Sequence, residues 1–250
     1  MKKSIINEFA MPAPRWLRTY PSGPYRFVNR EYFIITYESD VELLEAVLPP
    51  PLELAEPVIK FEFIRMPDST GFGDYTESGQ VIPVRYKGEE GIFTISMFLD
   101  CHAPIAGGRE IWGFPKKWAS PKLFVEEDTL VGTLDYGSIR IATATMGYKH
   151  RTIDNDLILN AMKQPVFLLK NIPGANGNPE LNQLTRTYLE NITVKGAWSG
   201  PGSLELHPHA LAPIADFPVK KILSVTHFIT DITLPYGEVV EDFLKSDHRI

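Results

Sequence analysis

The chain has 250 residues, of which 44% are hydrophobic and 22% charged, with a formal net charge of −6. That length can bury one large core or two small ones, and the composition is that of an ordinary folded protein and excludes disorder. The acidic balance gives no basis for a nucleic-acid or anionic-membrane partner, so an anionic ligand needs a local positive pocket.

At the N-terminus, Met1-Lys2-Lys3 hints at a secretory start, but Ser4-Ile5-Ile6-Asn7-Glu8 is too short and too polar for a signal core. Residues 1–19 read as an extended arm. Runs rich in β-branched and aromatic residues at 32–37, 58–64, 80–86 and 92–99 predict strands, several alternating in polarity. Between the first two, 40–48 predicts a helix that starts at Asp40 and stops at three prolines. Further strands are predicted at 122–126, 130–136 and 139–146, with Asp135-Tyr136-Gly137-Ser138 as a hairpin turn.

A second helix is predicted over 154–162, with Asp154 as N-cap and Leu157, Ile158 and Ala161 at helical spacing. Residues 171–182 form a Gly/Asn/Pro-rich loop, strands follow at 188–194 and 221–233, and 236–244 reads as an amphipathic helix. No apolar run approaches the ~18 residues that span a bilayer. With no repeat or linker, 1–250 reads as one mainly β domain with a few short helices. A closed antiparallel β-barrel is the economical form, because closure leaves few strand edges. Cys101 is the sole cysteine, which excludes an intrachain disulfide and suits a reducing cytoplasm.

The sequence is most distinctive at Gly113-Phe114-Pro115-Lys116-Lys117-Trp118, where two lysines sit among aromatic and turn residues. An ordinary lysine is a poor nucleophile, since only about one in 2,500 is neutral at pH 7. Apolar burial or a second cation disfavours the charged form. Lys2-Lys3 and Lys220-Lys221 lack such a setting and read as solvated pairs.

Several segments keep their order over roughly residues 20 to 245. They are Gly23-Pro24-Tyr25-Arg26-Phe27-Val28-Asn29-Arg30-Glu31-Tyr32-Phe33, Gly73-Asp74-Tyr75-Thr76-Glu77-Ser78-Gly79-Gln80, Gly108-Arg109-Glu110 running into Phe114-Pro115-Lys116-Lys117, and Leu130-Val131-Gly132-Thr133-Leu134-Asp135-Tyr136-Gly137. Through them the chain resembles the acetoacetate decarboxylase family. The resemblance implies Lys116 as a Schiff-base nucleophile, and its route to a free amine is the family's own, carried over with it. Lys117 is implied as a neighbour that tunes or orients Lys116, with desolvation the larger effect and Lys117 the smaller. Arg30 would hold the substrate carboxylate, for which its fork geometry is suited.

Glu77 and Glu62 are candidates for proton transfer or orientation. Lying between two phenylalanines, Glu62 is favoured by alternation to take the wet face of its strand. An ionised glutamate beside Lys116 would oppose its activation, so such an acid must be protonated, held by Arg30, or distant. Phe27, Met97 and Phe114 would supply an apolar wall. The family often has tyrosine at the position of Phe114, and phenylalanine there makes the site drier. Gly107-Gly108-Arg109-Glu110 would shape a turn near the site.

The implied reaction turns acetoacetate, a small 3-oxo acid, into acetone and carbon dioxide without metal or organic cofactor. The resemblance also implies a homo-oligomer, a dodecamer by that analogy, the sequence itself giving no subunit number. Aldol condensation or dehydration through the same lysine, and a silent barrel that binds carboxylates, are the competing readings. Gly71-Phe72-Gly73 lacks the third glycine of a phosphate loop, and His207-Pro208-His209, with His150 or His227, reads as turn residues in preference to a metal site. Asn191-Ile192-Thr193 fits a glycosylation acceptor, which has no role in a cytoplasmic protein.

Overall fold

Proline and glycine interrupt the chain so often that its elements are short and its connections tight. The computed structural model describes residues 17–245, so most of the expected N-terminal arm lies outside the described residues. In chain order they form β1 (Tyr25–Glu38), α1 (Val41–Glu45), β2 (Leu52–Leu54), β3 (Val58–Met66), β4 (Asp68–Ser69), β5 (Tyr75–Tyr86) and β6 (Glu89–Leu99). Helix α2 (His102–Gly107) runs into a π-helical turn, Gly108–Trp112. Then come β7 (Lys116–Trp118), β8 (Ser120–Glu126), β9 (Thr129–Tyr136), β10 (Ile139–Gly147), β11 (Arg151–Thr152) and α3 (Asn155–Met162). The last are β12 (Val166–Pro173), β13 (Pro179–Thr187), β14 (Glu190–Ser199), β15 (Gly202–Leu206), β16 (Lys221–Leu234) and β17 (Glu238–Asp242).

The turn after β9 is the expected hairpin, with Tyr136 opposite Ile139 and Gly137 at φ +63°. Asp154 caps α3 by accepting a hydrogen bond from the Asp156 amide at 2.9 Å. Asp40 precedes α1 but caps nothing; its carboxylate pairs with Lys220 instead. The helix expected over 236–244 is absent. That segment is the edge strand β17, paired with β13 from Gln183↔Asp242 to Arg186↔Glu238. So few residues fit either period, and the open edge of β13 decides the outcome.

Thirteen strands form one large sheet in the order β11-β14-β16-β1-β3-β5-β6-β12-β13-β17, with β2, β4 and β7 attached to β5, β1 and β6. A second sheet runs β15-β10-β9-β8. Neither sheet closes, and β7 and β12 both pair with β6 in parallel, so the expected closed antiparallel barrel is corrected on both points. Closure is unnecessary here because the terminal strands are poor templates: β11 has two residues, and β17 carries Glu238, Glu241 and Asp242.

Alternation gives the large sheet two working faces. From β1 and β3, Phe33, Ile35, Tyr37, Phe61 and Phe63 meet Leu130, Leu134, Ile141 and Met146 of the small sheet in one shared core. Gly132 permits the close approach, since a Cβ there would lie 2.6 Å from the Phe63 ring. The intervening residues of β1 and β3, Tyr32, Ile34, Thr36, Lys60, Glu62 and Ile64, face the other way and line a cavity. Its lid includes Ile158, Ala161 and Met162 of α3. Among the described residues, no helix is long and apolar enough to cross a membrane.

Candidate active site

Strand register assembles the cavity. Thr226, Ile34, Glu62, Gly79, Met97 and Lys116 lie in one continuous cross-strand row through β16, β1, β3, β5, β6 and β7. The neighbouring row carries Phe228, Tyr32, Ile64 and Glu77. Residues in such rows point to the same face of a sheet. The cavity they line has a volume of ≈ 320 Å³.

Two bulges adjust which side chains reach it. On β1, Phe27 pairs with Ile232 but Arg30 with Thr230, so one extra residue is accommodated and both Phe27 and Arg30 face the cavity. Asn29 absorbs the bulge at φ +54°, a conformation asparagine tolerates, and is held by Asp231 and Lys195. On β6, the register skips Ile95, which keeps Thr94 and Met97 on one side.

Lys116 is 8% exposed and Glu77 2%. Lys116 Nζ donates to Glu77 Oε1 at 2.6 Å and lies 5.1 Å from the Phe114 ring centre. The π-helical turn supports this placement. Gly113 N and Phe114 N both donate to Gly108 O at 3.0 Å, and Arg109 Nη1 donates to Lys116 O at 3.2 Å. At Gly108 a Cβ would lie 2.6 Å from Lys116 Cδ and 2.8 Å from Cε, so only glycine leaves room for the lysine.

Lys117 does not join the cavity. Being one residue further along β7, it faces outward, where its ammonium donates to Leu211 O at 2.6 Å and sits over the Tyr136 ring. Every other candidate does line the cavity: Phe27, Arg30, Glu62, Glu77, Met97, Phe114 and Lys116. Glu62 departs from the wet face expected of it. It does point away from the core, but into the enclosed cavity, and is 8% exposed.

Burial dominates the electrostatics. It pushes the Glu62 carboxyl up to about 7, against the pull of Lys60 and Arg30 and with some help from Glu77. The Tyr75 hydroxyl is driven well above its ordinary value by burial and then by Glu77. At Arg30 burial opposes the charge, but Tyr32, Glu77, Tyr75 and Glu62 outweigh it and hold the guanidinium charged. Its plane lies over Tyr32 and Phe27, and Nε is buried without a hydrogen-bond partner among the described residues. Glu31 does not pair with Arg30; it bonds His227 at 2.7 Å.

Tyr75 and Tyr32 escape a sequence reading because pairing between distant strands brings them to the cavity, whereas Arg109 belongs to the turn expected near the site and holds Lys116 O from there. Gly108 has a visible signal, the Gly107-Gly108 pair, but not its reason. The histidines are dispersed: His209 accepts from the Leu211 amide, and His227 is fully buried beside Trp198.

The acetoacetate decarboxylase (ADC) family model matches residues 10–244. The chain belongs to the acetoacetate decarboxylase family. The acetoacetate decarboxylase of Acidiphilium cryptum is 61% identical over 244 residues, covering 98% of this chain and 100% of that protein. That of Chromobacterium violaceum is 57% identical over 245 residues, with the same coverage. The crystal structure of acetoacetate decarboxylase from Legionella pneumophila superposes with a TM-score of 0.93 at 75% identity, covering 98% of each chain.

Proposed function

We propose that this protein decarboxylates acetoacetate to acetone and carbon dioxide through an imine on Lys116. The observation that carries the reading is a buried amine hydrogen-bonded to a buried carboxylate, in a cavity that also holds Arg30. The family relationship supports the substrate.

A 3-oxo acid loses carbon dioxide easily only if the departing electron pair has somewhere to go, and a protonated imine is a better sink than a ketone. Glu77, 2.6 Å from Lys116 Nζ, is placed as the base that takes the ammonium proton across their hydrogen bond and frees the amine. The amine lone pair adds to the ketone carbon, water leaves, and the imine forms. The bond to the carboxylate then breaks and its electrons move into the imine, giving an enamine and carbon dioxide. Glu62, which keeps its proton up to about pH 7, protonates the enamine carbon. Water then hydrolyses the imine, releasing acetone and Lys116. One proton is taken from solvent per turnover.

Arg30 orients the substrate carboxylate, and its Nε, buried without a partner among the described residues, supports that role, since such a donor is costly. It must position the group more than stabilise it, because tight ground-state binding would slow carbon dioxide loss. The apolar wall of Phe27, Met97 and Phe114 favours a neutral product over an ion. Lys117, directed at Leu211 O, has no part in this chemistry.

We also read the chain as one domain that works as a cytoplasmic homo-oligomer. Support comes from exposed apolar side chains such as Leu211 at 63% and Leu157 at 64%, and from a lone cysteine. The test of the function is acetone and carbon dioxide release from acetoacetate, with Lys116→Gln as the comparison. Equal rates for the two proteins would defeat the reading. Condensation products in place of acetone would redirect it to aldol chemistry.

A further inference from the structure

The cavity is not uniform along its strands. The row holding Phe228, Tyr32, Ile64 and Glu77 is buried throughout. One step along, Thr226 and Ile34 are half-buried while Glu62, Met97 and Lys116 remain covered. In the third row Thr36 pairs with Ser224 and Lys60, and Lys60 with Val81. Here Ser224 is exposed, and Thr36 and Lys60 are half-buried. Solvent therefore reaches the cavity from this third row, where Ser224, Thr36 and Lys60 present polar side chains to it.

Lys60 is the cation of that mouth. It stands two residues from Glu62 on the same face of β3, on the solvent side of it. Among the described residues it makes no ion pair and no side-chain hydrogen bond. Of the other lysines and arginines of the cavity wall, Lys116 is buried, and Arg30 is half-buried like Lys60 but has its Nε covered. A protein of net charge −6 repels acetoacetate at long range, so a local positive charge is needed where the anion approaches. The products, acetone and carbon dioxide, are neutral, so a cation at the mouth speeds approach without retaining product.

We propose that Lys60 captures the substrate carboxylate at the cavity mouth and passes it inward to Arg30, an approach site separate from the one where the bond breaks. The inference rests on the decarboxylase reading. It predicts that the reaction discriminates between anionic and neutral ketones through a residue remote from the imine. An exposed or half-exposed cation acts on an anion by about 1 kcal/mol, which is roughly fivefold.

The test is Lys60→Met, with Lys60→Gln as a second variant should the first fail to fold and Lys60→Arg as the charge-retaining control. The probes are acetoacetate and pentane-2,4-dione, which replaces the carboxylate by a neutral acetyl group. The expected result is a KM for acetoacetate raised about fivefold with kcat little changed, and a flatter dependence of kcat/KM on salt. Lys60→Arg restores both, and adduct formation between the dione and Lys116 keeps its rate. An unchanged KM and salt dependence overturn the proposal. So does a loss confined to kcat with a displaced pH profile, which would mean that Lys60 acts through Glu62. Absence of a dione adduct in the unaltered protein would instead count against the imine reading itself, so the two failures are distinguishable.

Discussion

Lys116 Nζ lies 2.6 Å from Glu77 Oε1, although the two residues belong to strands separated by β6. The pair is buried from both sides, and each charge is tolerable there because of the other. The carboxylate is within hydrogen-bond reach of the amine, the geometry a general base requires, and that placement turns a structural contact into a catalytic one. Glu77→Gln keeps the shape and a hydrogen-bonding partner but cannot accept the proton. We expect kcat to fall by about 10²–10³ with the fold intact, as for loss of a general base. Steady-state kinetics beside a thermal melt checks this, and a kcat within a few-fold of normal would remove Glu77 from the mechanism.

Outward-facing Lys117 donates to Leu211 O. Lys117→Ala is therefore expected to form the Lys116 imine at a rate within about threefold of the unaltered protein, since exposed charges act weakly at a distance. If single-turnover kinetics showed a loss of 100-fold that Lys117→Arg recovered, activation by a neighbouring charge would replace activation by burial.

Gly108 has φ −62°, which any residue can adopt, so an alanine there carries no backbone strain. Its Cβ would nonetheless collide with Lys116 Cδ and Cε. The lysine is the flexible partner and gives way. Gly108→Ala should keep its Tm within a few degrees yet lose kcat by at least about 100-fold, as misplacement of a reacting group does. Retained activity would show that the nucleophile has room to spare.

Much of this site was legible from the chain. Lys116, Glu77, Arg30 and their apolar neighbours occur in segments with strong family character, and they converge in space. The strand at Gln80 to Tyr86 and the cap at Asp154 follow from local chemistry. What stayed hidden depends on pairing across distance. Glu62 lies between two phenylalanines, and sequence alternation identifies its face but not the enclosed cavity beyond it. Strand β17 took a strand form because β13 offered an edge. Helix α2 was masked by Pro104, which is harmless in a first turn where no intrahelical donor is needed.

Glu62 also links activity to stability. Its ordinary value is 4.5, and the folded protein raises it to about 7. Between those values the folded state binds more protons than the unfolded state, so its stability declines as pH rises through that window. The loss is complete above about 7. The shift corresponds to about 3 kcal/mol. Glu62→Gln has no such titration, so its stability relative to the unaltered protein should improve by about that amount between pH 4.5 and pH 8. Denaturant unfolding at both pH values tests this; parallel pH profiles for the two proteins would mean that Glu62 is not held protonated.

The central claim is the covalent bond between substrate and Lys116. Incubation with acetoacetate, reduction by borohydride and peptide mass analysis measures it directly. A reduced adduct on Lys116, dependent on substrate and absent from Lys116→Gln, is the predicted result. Folded protein that turns over acetoacetate yet carries no adduct at Lys116 would contradict it.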